Sequence, residues 1–495
     1  MYTEAKILNR QRRAGVLLHP TSLPSPLGNG DLGHQAYRFI EFLNANGFKV
    51  WQMLPLGVTG KDKSPYYCLS SHAGNPLLIS LDWLEDKGWL NRNKISLSET
   101  EDDYRLSCLK QSFENFQLQV NDEWGTAIKE FTQENANWLD EYALFMALKT
   151  RYHNKCWYEW PKPIRHREAE SMAEAKRELQ ADIKQKIFEQ FVFYFQWQEL
   201  RAYAEQHEVE LFGDMPMFVP PDSVDVWAQN ENFLINNDGE LDYVAGVPPD
   251  FFSETGQLWG NPLYDWAYMQ ETNFSWWKER LATQLKFFDL IRVDHFRGLQ
   301  ACWQVPYQEK TAINGNWVEV PGREMLVELL ATFHNLPLVA EDLGVITDPV
   351  IDLKNSFGIP GMKVLQFAFD GQNDNPHLPH LLKIGDTVYT GTHDNNTSLG
   401  WVGEINHDDK RYFEDYTGLK IEPDEEGVYS MIRLAMSSVS FLCVVPMQDI
   451  LMLGSSARMN VPGTVEGNWQ WRFQWEQIKP KVIDDLAHFI TLYQR

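Results

Sequence analysis

The chain has 495 residues, a formal net charge of −25, a hydrophobic fraction of 43% and an aromatic fraction of 13%. This composition excludes a disordered chain, because it contains enough apolar residues to form a large core. The negative charge excludes nucleic acid and anionic membranes as expected partners, since proteins that bind polyanions need a basic surface to neutralise phosphates.

The cysteines and the amino-terminal sequence indicate the cellular compartment. An odd number of scattered cysteines without a C-x-x-C pair argues against a disulfide framework or a zinc site and favours a reducing compartment. The arginines near residue 12 precede only a short apolar stretch, which does not fit a signal peptide, and no run of about 18 apolar residues could span a bilayer. We therefore expect a cytoplasmic protein.

Eight short apolar runs with strand character recur along the chain, and each ends in polar residues. In chain order they cover residues 14–18, 50–54, 210–214, 290–294, 338–342, 363–367, 387–390 and 441–445. Amphipathic helices precede several of them; Tyr37, Ile40 and Leu43, for example, share one helical face before the second run. Runs that are apolar throughout suit strands covered on both faces, and their alternation with helices indicates a parallel sheet.

Eight parallel strands favour an α/β fold of the (β/α)8 TIM-barrel type, although an open doubly wound sheet would leave a similar trace. No G-x-G-x-x-G follows the first strand, which removes the main reason to prefer a dinucleotide fold. Segment 76–209 carries helical stripes and is predicted as a mostly helical insertion. Segment 218–266 is rich in Gly, Pro, Asn and Trp and is predicted as a loop-like insertion that covers the substrate. We expect one catalytic domain over residues 1–495.

Three predicted strands end in a carboxylate, namely Asp294 in IRVDHFRG, Glu341 in LVAEDLG and Asp394 in YTGTHDNNT. In a parallel barrel the carboxyl ends of the strands converge on the face where active sites lie. A single acid at a strand end is commonly a helix cap, but three in one chain indicate a site. Cleavage of an acetal needs two such acids, one that attacks the anomeric carbon and one that protonates the leaving oxygen.

The neighbours of these acids suggest different roles. Arg292 lies two residues before Asp294 on the same strand face, and a neighbouring cation keeps an acid ionised, so Asp294 is the predicted nucleophile. A plain buried ion pair would give the same spacing. Glu341 has only the acidic Asp342 beside it, which favours a raised pKa and an acid/base role. Asp394 follows His393, and together they could hold vicinal sugar hydroxyls.

Aromatic residues in loop-like sequence are candidate platforms for sugar rings. The chain has 19 Trp, of which Trp227, Trp259 and Trp266 lie among Asn, Gly and Pro, and Tyr66 lies in KSPYYC. Burial in a core is less expected there. Platform and packing roles both remain open for these four residues at this point.

The motifs resemble those of the amylomaltases, or disproportionating enzymes, which are 4-α-glucanotransferases of glycoside hydrolase family 77. The likeness runs from RAGVLLHPTSLPSPLGNGDLG to GNWQWR and includes FGDMPMFV, VAGVPPDFFSETGQLWGNPLYDW, IRVDHFRG, LVAEDLGVIT, YTGTHDNNT and QDILMLGSSARMN. The resemblance implies a (β/α)8 barrel and transfer of α-1,4-glucan segments to the 4-hydroxyl of an acceptor glucan or glucose, with net retention. We expect no cofactor and no metal.

The resemblance also implies a role for each matched residue. Asp294 corresponds to the catalytic nucleophile, Glu341 to the general acid/base and Asp394 to the transition-state stabiliser. The matched substrate-binding residues around the attacked glucose are Arg292, His393, Tyr66, Asp214 and Asn468, with Trp259 on a flexible loop over the glucan. One departure concerns the stretch Gly60, Lys61, Asp62 and Lys63, where many relatives have an aromatic residue. A glucan-stacking contact outside the catalytic centre is therefore in doubt.

The expected partners are maltooligosaccharides and glucans derived from amylose, starch or glycogen, bound by a monomer or weak homodimer. The nearest alternative is an α-amylase-type retaining hydrolase on the same barrel, which would yield glucose from maltotriose without longer products. A catalytically inactive glycan-binding protein is disfavoured because all three carboxylates are present. The sequence leaves open the preferred chain length, cyclisation and the physiological pathway.

Overall fold

The computed structural model describes residues 11–60, 62–96, 100–249, 253–422, 424–464 and 466–495, which form two β-sheets surrounded by helices. The strands in chain order are β1 (Arg13–Leu17), β2 (Val50–Gln52), β3 (Glu210–Met215), β4 (Tyr243–Val247), β5 (Gln257–Pro262), β6 (Leu290–Val293), β7 (Ala301–Pro306), β8 (Asn316–Glu319), β9 (Leu338–Ala340), β10 (Met362–Val364), β11 (Thr387–Tyr389) and β12 (Leu442–Pro446).

The larger sheet is a barrel of eight parallel strands in the order β10-β11-β12-β1-β2-β3-β6-β9. Its two ends, β9 and β10, meet through a parallel bridge between Ala340 and Gly361, where the Ala340 N–H donates to the Pro360 carbonyl at 2.7 Å. Each of the eight apolar runs forms one of these strands, so the predicted (β/α)8 barrel is confirmed. Several strands end earlier than predicted: β6 ends at Val293 and β9 at Ala340, and β10 ends at Val364, where a 3-10 helix begins.

Helices surround the barrel. In chain order they are α1 (His34–Ala45), α2 (Leu81–Asp86), α3 (Glu101–Gln119), α4 (Asp122–Glu134), α5 (Leu139–Arg151), α6 (Lys162–Arg165), α7 (Ala169–Glu178), α8 (Gln180–Gln206), α9 (Val224–Ala228), α10 (Trp266–Glu271), α11 (Ser275–Phe287), α12 (Gly322–Phe333), α13 (Asp348–Ser356), α14 (Ser398–Glu404), α15 (His407–Thr417), α16 (Asp424–Ser437), α17 (Met447–Ile450) and α18 (Pro480–Leu492). Over the described residues, none of these helices has the length and hydropathy to cross a membrane.

Local sequence signals explain where several helices begin and end. The Thr100 hydroxyl accepts from the Asp103 N–H at 3.1 Å at the start of α3, and the Asn121 side chain accepts from the Trp124 N–H at 2.9 Å at the start of α4. Helix α15 ends at Gly418, whose φ of 71° suits the left-handed cap conformation. On α1, the predicted inward face is buried at Ile40 and Leu43.

Segment 76–209, between β2 and β3, contains helices α2 to α8. The longest of them, α8, fastens the insertion to the loop after β2 through Gln190, which is 0% exposed. Its side-chain oxygen accepts from the Gly74 N–H at 2.9 Å and its nitrogen donates to the Gly74 carbonyl at 2.8 Å. Gln196 binds the N–H and carbonyl of Ser80 in the same way, at 2.8 and 3.2 Å. The insertion therefore supports the loop that follows β2.

Segment 218–266 differs from its loop-like prediction, because it contains α9 and the strands β4 and β5. These strands join β7 and β8 in a four-stranded antiparallel sheet in the order β5-β4-β7-β8. The sheet packs around a small apolar cluster of Leu241, Val244, Val305 and Ala312. Its partner strands come from beyond residue 300, so no local pattern within 218–266 could reveal the pairing.

We expect Gln190→Leu to lower the free energy of unfolding by about 2–4 kcal/mol, because two buried backbone groups of Gly74 lose their partners. Urea denaturation followed by tryptophan fluorescence measures the change. Gln198→Leu is the matched control on the exposed side of α8 and should change the free energy by less than about 0.5 kcal/mol. Equal destabilisation by the two substitutions would contradict the proposed fastening role.

Candidate active site

A buried arginine links two carboxylates at the carboxyl ends of neighbouring strands. Arg292 on β6 is 4% exposed, and its Nη1 donates to Asp214 Oδ2 at 2.6 Å while its Nη2 donates to Asp294 Oδ1 at 2.7 Å. Asp214 is the register partner of Arg292 across β3 and β6. Asp294 lies two residues further on, on the same face as Arg292. Barrel register therefore brings the guanidinium between the two acids.

Asp214 lies at the bottom of this site and is 1% exposed. The Tyr66 hydroxyl donates to Asp214 Oδ2 at 2.7 Å. Burial raises the pKa of Asp214 above its usual value, against the opposing charge of Arg292. Burial and the Asp214 charge also raise the pKa of Tyr66 well above its usual value, so the hydroxyl stays protonated and remains a donor.

Glu341 follows β9 directly, as Asp294 follows β6, and the two strands are neighbours in the barrel. The Glu341 carboxylate accepts two backbone N–H groups, from His295 to Oε2 at 2.8 Å and from Leu343 to Oε1 at 2.9 Å. Its backbone N–H donates to the Val293 carbonyl at 3.0 Å. The acid is thus tied to the residue that immediately follows Asp294.

The electrostatic environment of Glu341 differs from that of Asp294, which forms the ion pair with Arg292. Burial raises the pKa of Glu341 to about 7, the more distant Arg292 charge opposes this, and the charges of Asp294 and Asp342 add to it. A carboxyl group with this pKa can both give and take a proton near neutral pH.

His295 occupies a left-handed backbone conformation with φ 49° and ψ 50° at the turn between β6 and the following 3-10 helix. Such a conformation is costly for a residue other than glycine and is concentrated at functional sites. Its ring meets the Trp259 ring edge to face, with 4.7 Å between centroids. Burial lowers the pKa of His295 to about 4, so the imidazole is neutral beside Asp294.

The third carboxylate, Asp394, is part of a separate polar cluster. His393 Nε2 lies 3.1 Å from Asp394 Oδ2, and the Asn460 amide donates to Oδ1 at 2.7 Å. Partial burial raises the pKa of Asp394, but the charge and hydrogen bond of His393 and the Asn460 amide outweigh it and lower the pKa below its usual range. The His393 ring stacks on Tyr66, with 5.1 Å between centroids. Tyr66 therefore connects this cluster to Asp214 and Arg292.

Two residues that the sequence did not single out complete the cluster, Asn460 and Trp469. The Trp469 ring centroid lies 6.0 Å from that of Tyr66 and 6.1 Å from that of His393. The predicted substrate-binding residue Asn468 uses its amide within its own loop, accepting from the Val461 N–H at 2.9 Å and donating to the Thr464 carbonyl at 3.0 Å. These hydrogen bonds hold the conformation of the loop that carries Asn460 and Trp469. Only the motifs QDILMLGSSARMN and GNWQWR mark this loop in the sequence.

The four candidate aromatic platforms have different surroundings. Tyr66 and Trp259 lie at the mouth of the barrel beside the residues described above. Trp227 is 1% exposed, donates through Nε1 to the Ile164 carbonyl at 3.3 Å and lies 4.3 Å beneath the Arg167 guanidinium. The expectation that Trp227 avoids the core is therefore wrong, because α9 packs against the helical insertion. Trp266 is half-buried against Tyr264.

A cavity of about 720 Å³ extends from Trp469 along the loop after β2 to the helical insertion. Gly60, Asp62 and Lys63 line it, whereas Lys61 lies outside the described residues. Lys63 forms an ion pair with Asp102 on α3 at 3.1 Å. This ion pair is a contact between the loop after β2 and the helical insertion. Within the described ranges, no group of three or more His, Cys, Asp or Glu residues is arranged to hold a metal ion.

Comparison with known proteins covers nearly the whole chain. The glycoside hydrolase family 77 model, described as 4-alpha-glucanotransferase, matches residues 18–478. The 4-alpha-glucanotransferase of Synechocystis is 46% identical over 98% of this chain and 98% of its own, and that of Thermus thermophilus is 44% identical over 95% and 96%. An amylomaltase structure from Streptococcus agalactiae, in complex with acarbose, matches with a TM-score of 0.93 and 36% identity over 98% of this chain and 100% of that chain.

These similarities include the barrel and both insertions. They confirm the family that was recognised from the motifs. The chain belongs to the 4-alpha-glucanotransferases of glycoside hydrolase family 77.

Proposed function

We propose that the chain transfers α-1,4-glucan segments to the 4-hydroxyl of an acceptor glucan or glucose through a covalent intermediate on Asp294. The observation that carries this proposal is the hydrogen bond from the His295 N–H to the Glu341 carboxylate. It ties a carboxyl group with a raised pKa to the residue next to the Arg292-paired Asp294. Retaining enzymes use such an adjacent pair, one acid as nucleophile and the other as proton donor.

In the first step, an Asp294 oxygen attacks the anomeric carbon and the glycosidic C–O bond breaks. Glu341 gives its proton to the departing oxygen, so the reducing-end fragment leaves as a neutral alcohol. In the second step, Glu341 removes the proton from the 4-hydroxyl of the acceptor, whose oxygen attacks the anomeric carbon and displaces Asp294. Two inversions give net retention, and each enzyme group returns to its starting state.

Asp394, His393, Tyr66 and Arg292 are proposed to hold the glucose that is attacked. Asp394 has a lowered pKa and therefore offers a carboxylate to sugar hydroxyls, while the neighbouring His393 supplies a ring nitrogen. A carboxylate in this position also stabilises the positive charge that develops on the sugar ring. Asp214 is proposed to act from below, by fixing Tyr66 and Arg292.

The remaining predicted binding residues are proposed to act at the edge of the site. Trp259, on β5, is positioned to cover a bound glucan beside His295, and Asn468 to hold the loop that carries Trp469. Donor and product have bonds of the same type, so transfer is nearly thermoneutral, whereas hydrolysis is favoured in water. Selectivity must therefore be kinetic, which requires a site that excludes water and retains a sugar acceptor.

The proposed substrates are maltooligosaccharides and the longer glucans of amylose, starch or glycogen. The acarbose bound to the amylomaltase of Streptococcus agalactiae supports recognition of this class, because 36% identity over 98% of this chain relates the two proteins. The large cavity beside Trp469 could take further sugar units.

We expect Asp294→Asn to reduce transfer from maltotriose by at least about 1,000-fold, because an amide is not a useful nucleophile. Chromatography should show glucose and longer maltooligosaccharides from the unchanged enzyme and neither from the variant. Asp352→Asn, the same substitution at an exposed position of α13, is the control. Near-normal activity of Asp294→Asn would end the nucleophile assignment, and glucose without longer products from the unchanged enzyme would indicate hydrolysis.

Glu341→Gln should affect two glucosyl donors, maltotriose and α-glucosyl fluoride, to different extents. Gln cannot protonate a glycosidic oxygen, so turnover of maltotriose should fall by about 100- to 10,000-fold. α-Glucosyl fluoride needs no protonation of its leaving group, so a first-turnover release of fluoride should persist. Rapid-mixing measurement of fluoride checks this. Loss of that release would mean that Glu341 is not the acid.

The pH dependence follows from the raised pKa of Glu341. The group must be protonated for the first step, and its pKa is about 7, so kcat/KM for maltotriose should fall as the pH rises through about 7. Initial rates between about pH 5 and pH 9 measure this alkaline limb. Glu341→Gln should lack the limb, and a limb that persists in this variant would assign it to another group.

A further inference from the structure

The barrel closes at a weak seam directly beside Glu341. On one side, β9 pairs with β6 through three register partners, Ile291↔Leu338, Arg292↔Val339 and Val293↔Ala340. On the other side, towards β10, the described residues pair through the bridge between Ala340 and Gly361. Backbone pairing therefore holds the end of β9 more firmly on the β6 side than on the β10 side.

Side chains reinforce this seam. Asp342, which is 7% exposed, accepts from the Met362 N–H of β10 at 2.7 Å through Oδ1. Its Oδ2 accepts from Lys354 Nζ of α13 at 2.6 Å, and Lys354 is also buried. Gly361 runs directly against the pair, where a Cβ would collide with Lys354 Nζ and the Asp342 carboxylate. We name Asp342, Lys354 and the Met362 N–H the seam latch.

The seam latch begins one residue after Glu341. Backbone contacts of Glu341 run towards β6, from its N–H to the Val293 carbonyl and from the Phe296 N–H to its own carbonyl, at 3.0 and 3.1 Å. Restraint from the β10 side reaches Glu341 through both of its neighbours, Ala340 by its bond to the Pro360 carbonyl and Asp342 by the bond from the Met362 N–H. Movement of Asp342 would therefore tilt the Glu341 side chain relative to Asp294.

The charge of the latch also faces Glu341. The charged groups that act on Glu341 are Arg292 on β6, Asp294 directly after β6, and Asp342 on its own segment. Lys363 on β10, His377 and Asp386 lie within electrostatic range of the Asp342–Lys354 pair. Lys354 balances the Asp342 carboxylate from the helix behind the seam, so its removal would leave a buried negative charge next to the acid.

We propose that Lys354 is a positioning residue, which acts through Asp342 to hold Glu341 in place across the barrel seam. This inference rests on the proposed acid/base role of Glu341. It concerns a side chain of the outer helix layer that touches neither Asp294 nor the cavity lining described above. Misplacement of a reacting group by about 1 Å can cost about 100-fold in rate. Loss of a latch that begins one residue after Glu341 should therefore have a measurable effect on the rate.

The first test is Lys354→Met, which removes the charge and keeps most of the side-chain volume. We expect first-turnover reaction with maltotriose to fall about 10-fold or more, and fluoride release from α-glucosyl fluoride to fall less than about 3-fold, because only the former needs a placed proton donor. Lys354→Arg should restore maltotriose turnover to within about 3-fold. Equal losses with both donors, or no loss with either, would overturn the proposal.

The pH profile gives a second, independent readout. Lys354→Met leaves Asp342 unbalanced and should move the alkaline limb to higher pH by about half a unit or more. Asp342→Asn retains an oxygen for the Met362 N–H but removes the negative charge, so the limb should move to lower pH. Opposite shifts are not expected from a general loss of stability. If Lys354→Met does not fold, Asp342→Asn still decides the question, and an unmoved limb contradicts the latch.

Lys186→Met is the matched control, because it removes the cation paired with the 0% exposed Glu189 on α8, far along the chain from the seam. It should lower the urea midpoint of unfolding. The ratio of the rates with maltotriose and α-glucosyl fluoride, and the alkaline limb of the pH profile, should stay unchanged. Failure of the proposed function is distinguishable: a limb that persists in Glu341→Gln rejects the acid role itself. Loss of the limb in Glu341→Gln with no shift in the latch variants rejects the latch alone.

Discussion

A single buried guanidinium determines the arrangement of the site. Arg292 is 4% exposed and holds Asp214 at 2.6 Å and Asp294 at 2.7 Å. A buried charge is tolerated only when it is paired, and removal of one partner from a buried pair costs about 3–5 kcal/mol. The two acids must therefore stay beside Arg292. Asp214 in turn orients Tyr66, whose ring stacks on His393, so that one arginine organises side chains from four barrel strands and the loops that follow them.

The barrel places two carboxyl groups with different electrostatic environments at adjacent strand ends. Asp294 lies against a cation, whereas Glu341 lies against backbone N–H groups in a buried setting that raises its pKa to about 7. Environments that separate two acids in this way underlie catalysis with one nucleophile and one proton donor. The proposed seam latch extends the same logic to the outer helices, since α13 carries the charge that balances the residue after Glu341.

The insertions surround the site from two directions. Helix α8 holds the loop after β2 through a pair of hydrogen bonds between the Gln190 side-chain amide and the Gly74 backbone. This loop carries Tyr66. The antiparallel sheet carries Trp259, which packs against His295. As a 4-alpha-glucanotransferase, the protein must favour a sugar acceptor over water, and elements that enclose the barrel mouth are suited to that task. The ion pair between Lys63 and Asp102 links the loop after β2 to helix α3 of the insertion.

The sequence by itself determined the eight barrel strands, because strands buried on both faces leave apolar runs whose pattern is local. It also predicted three carboxylates as the catalytic residues, since the end of each strand is visible in the chain, and this assignment stays a proposal. Only the tertiary structure decided that Trp227 is buried, that Asn468 serves its own loop, and that Asn460 and Trp469 join the site. Their surroundings depend on contacts between segments far apart in the chain. Such contacts produce no periodic pattern of apolar residues in the sequence.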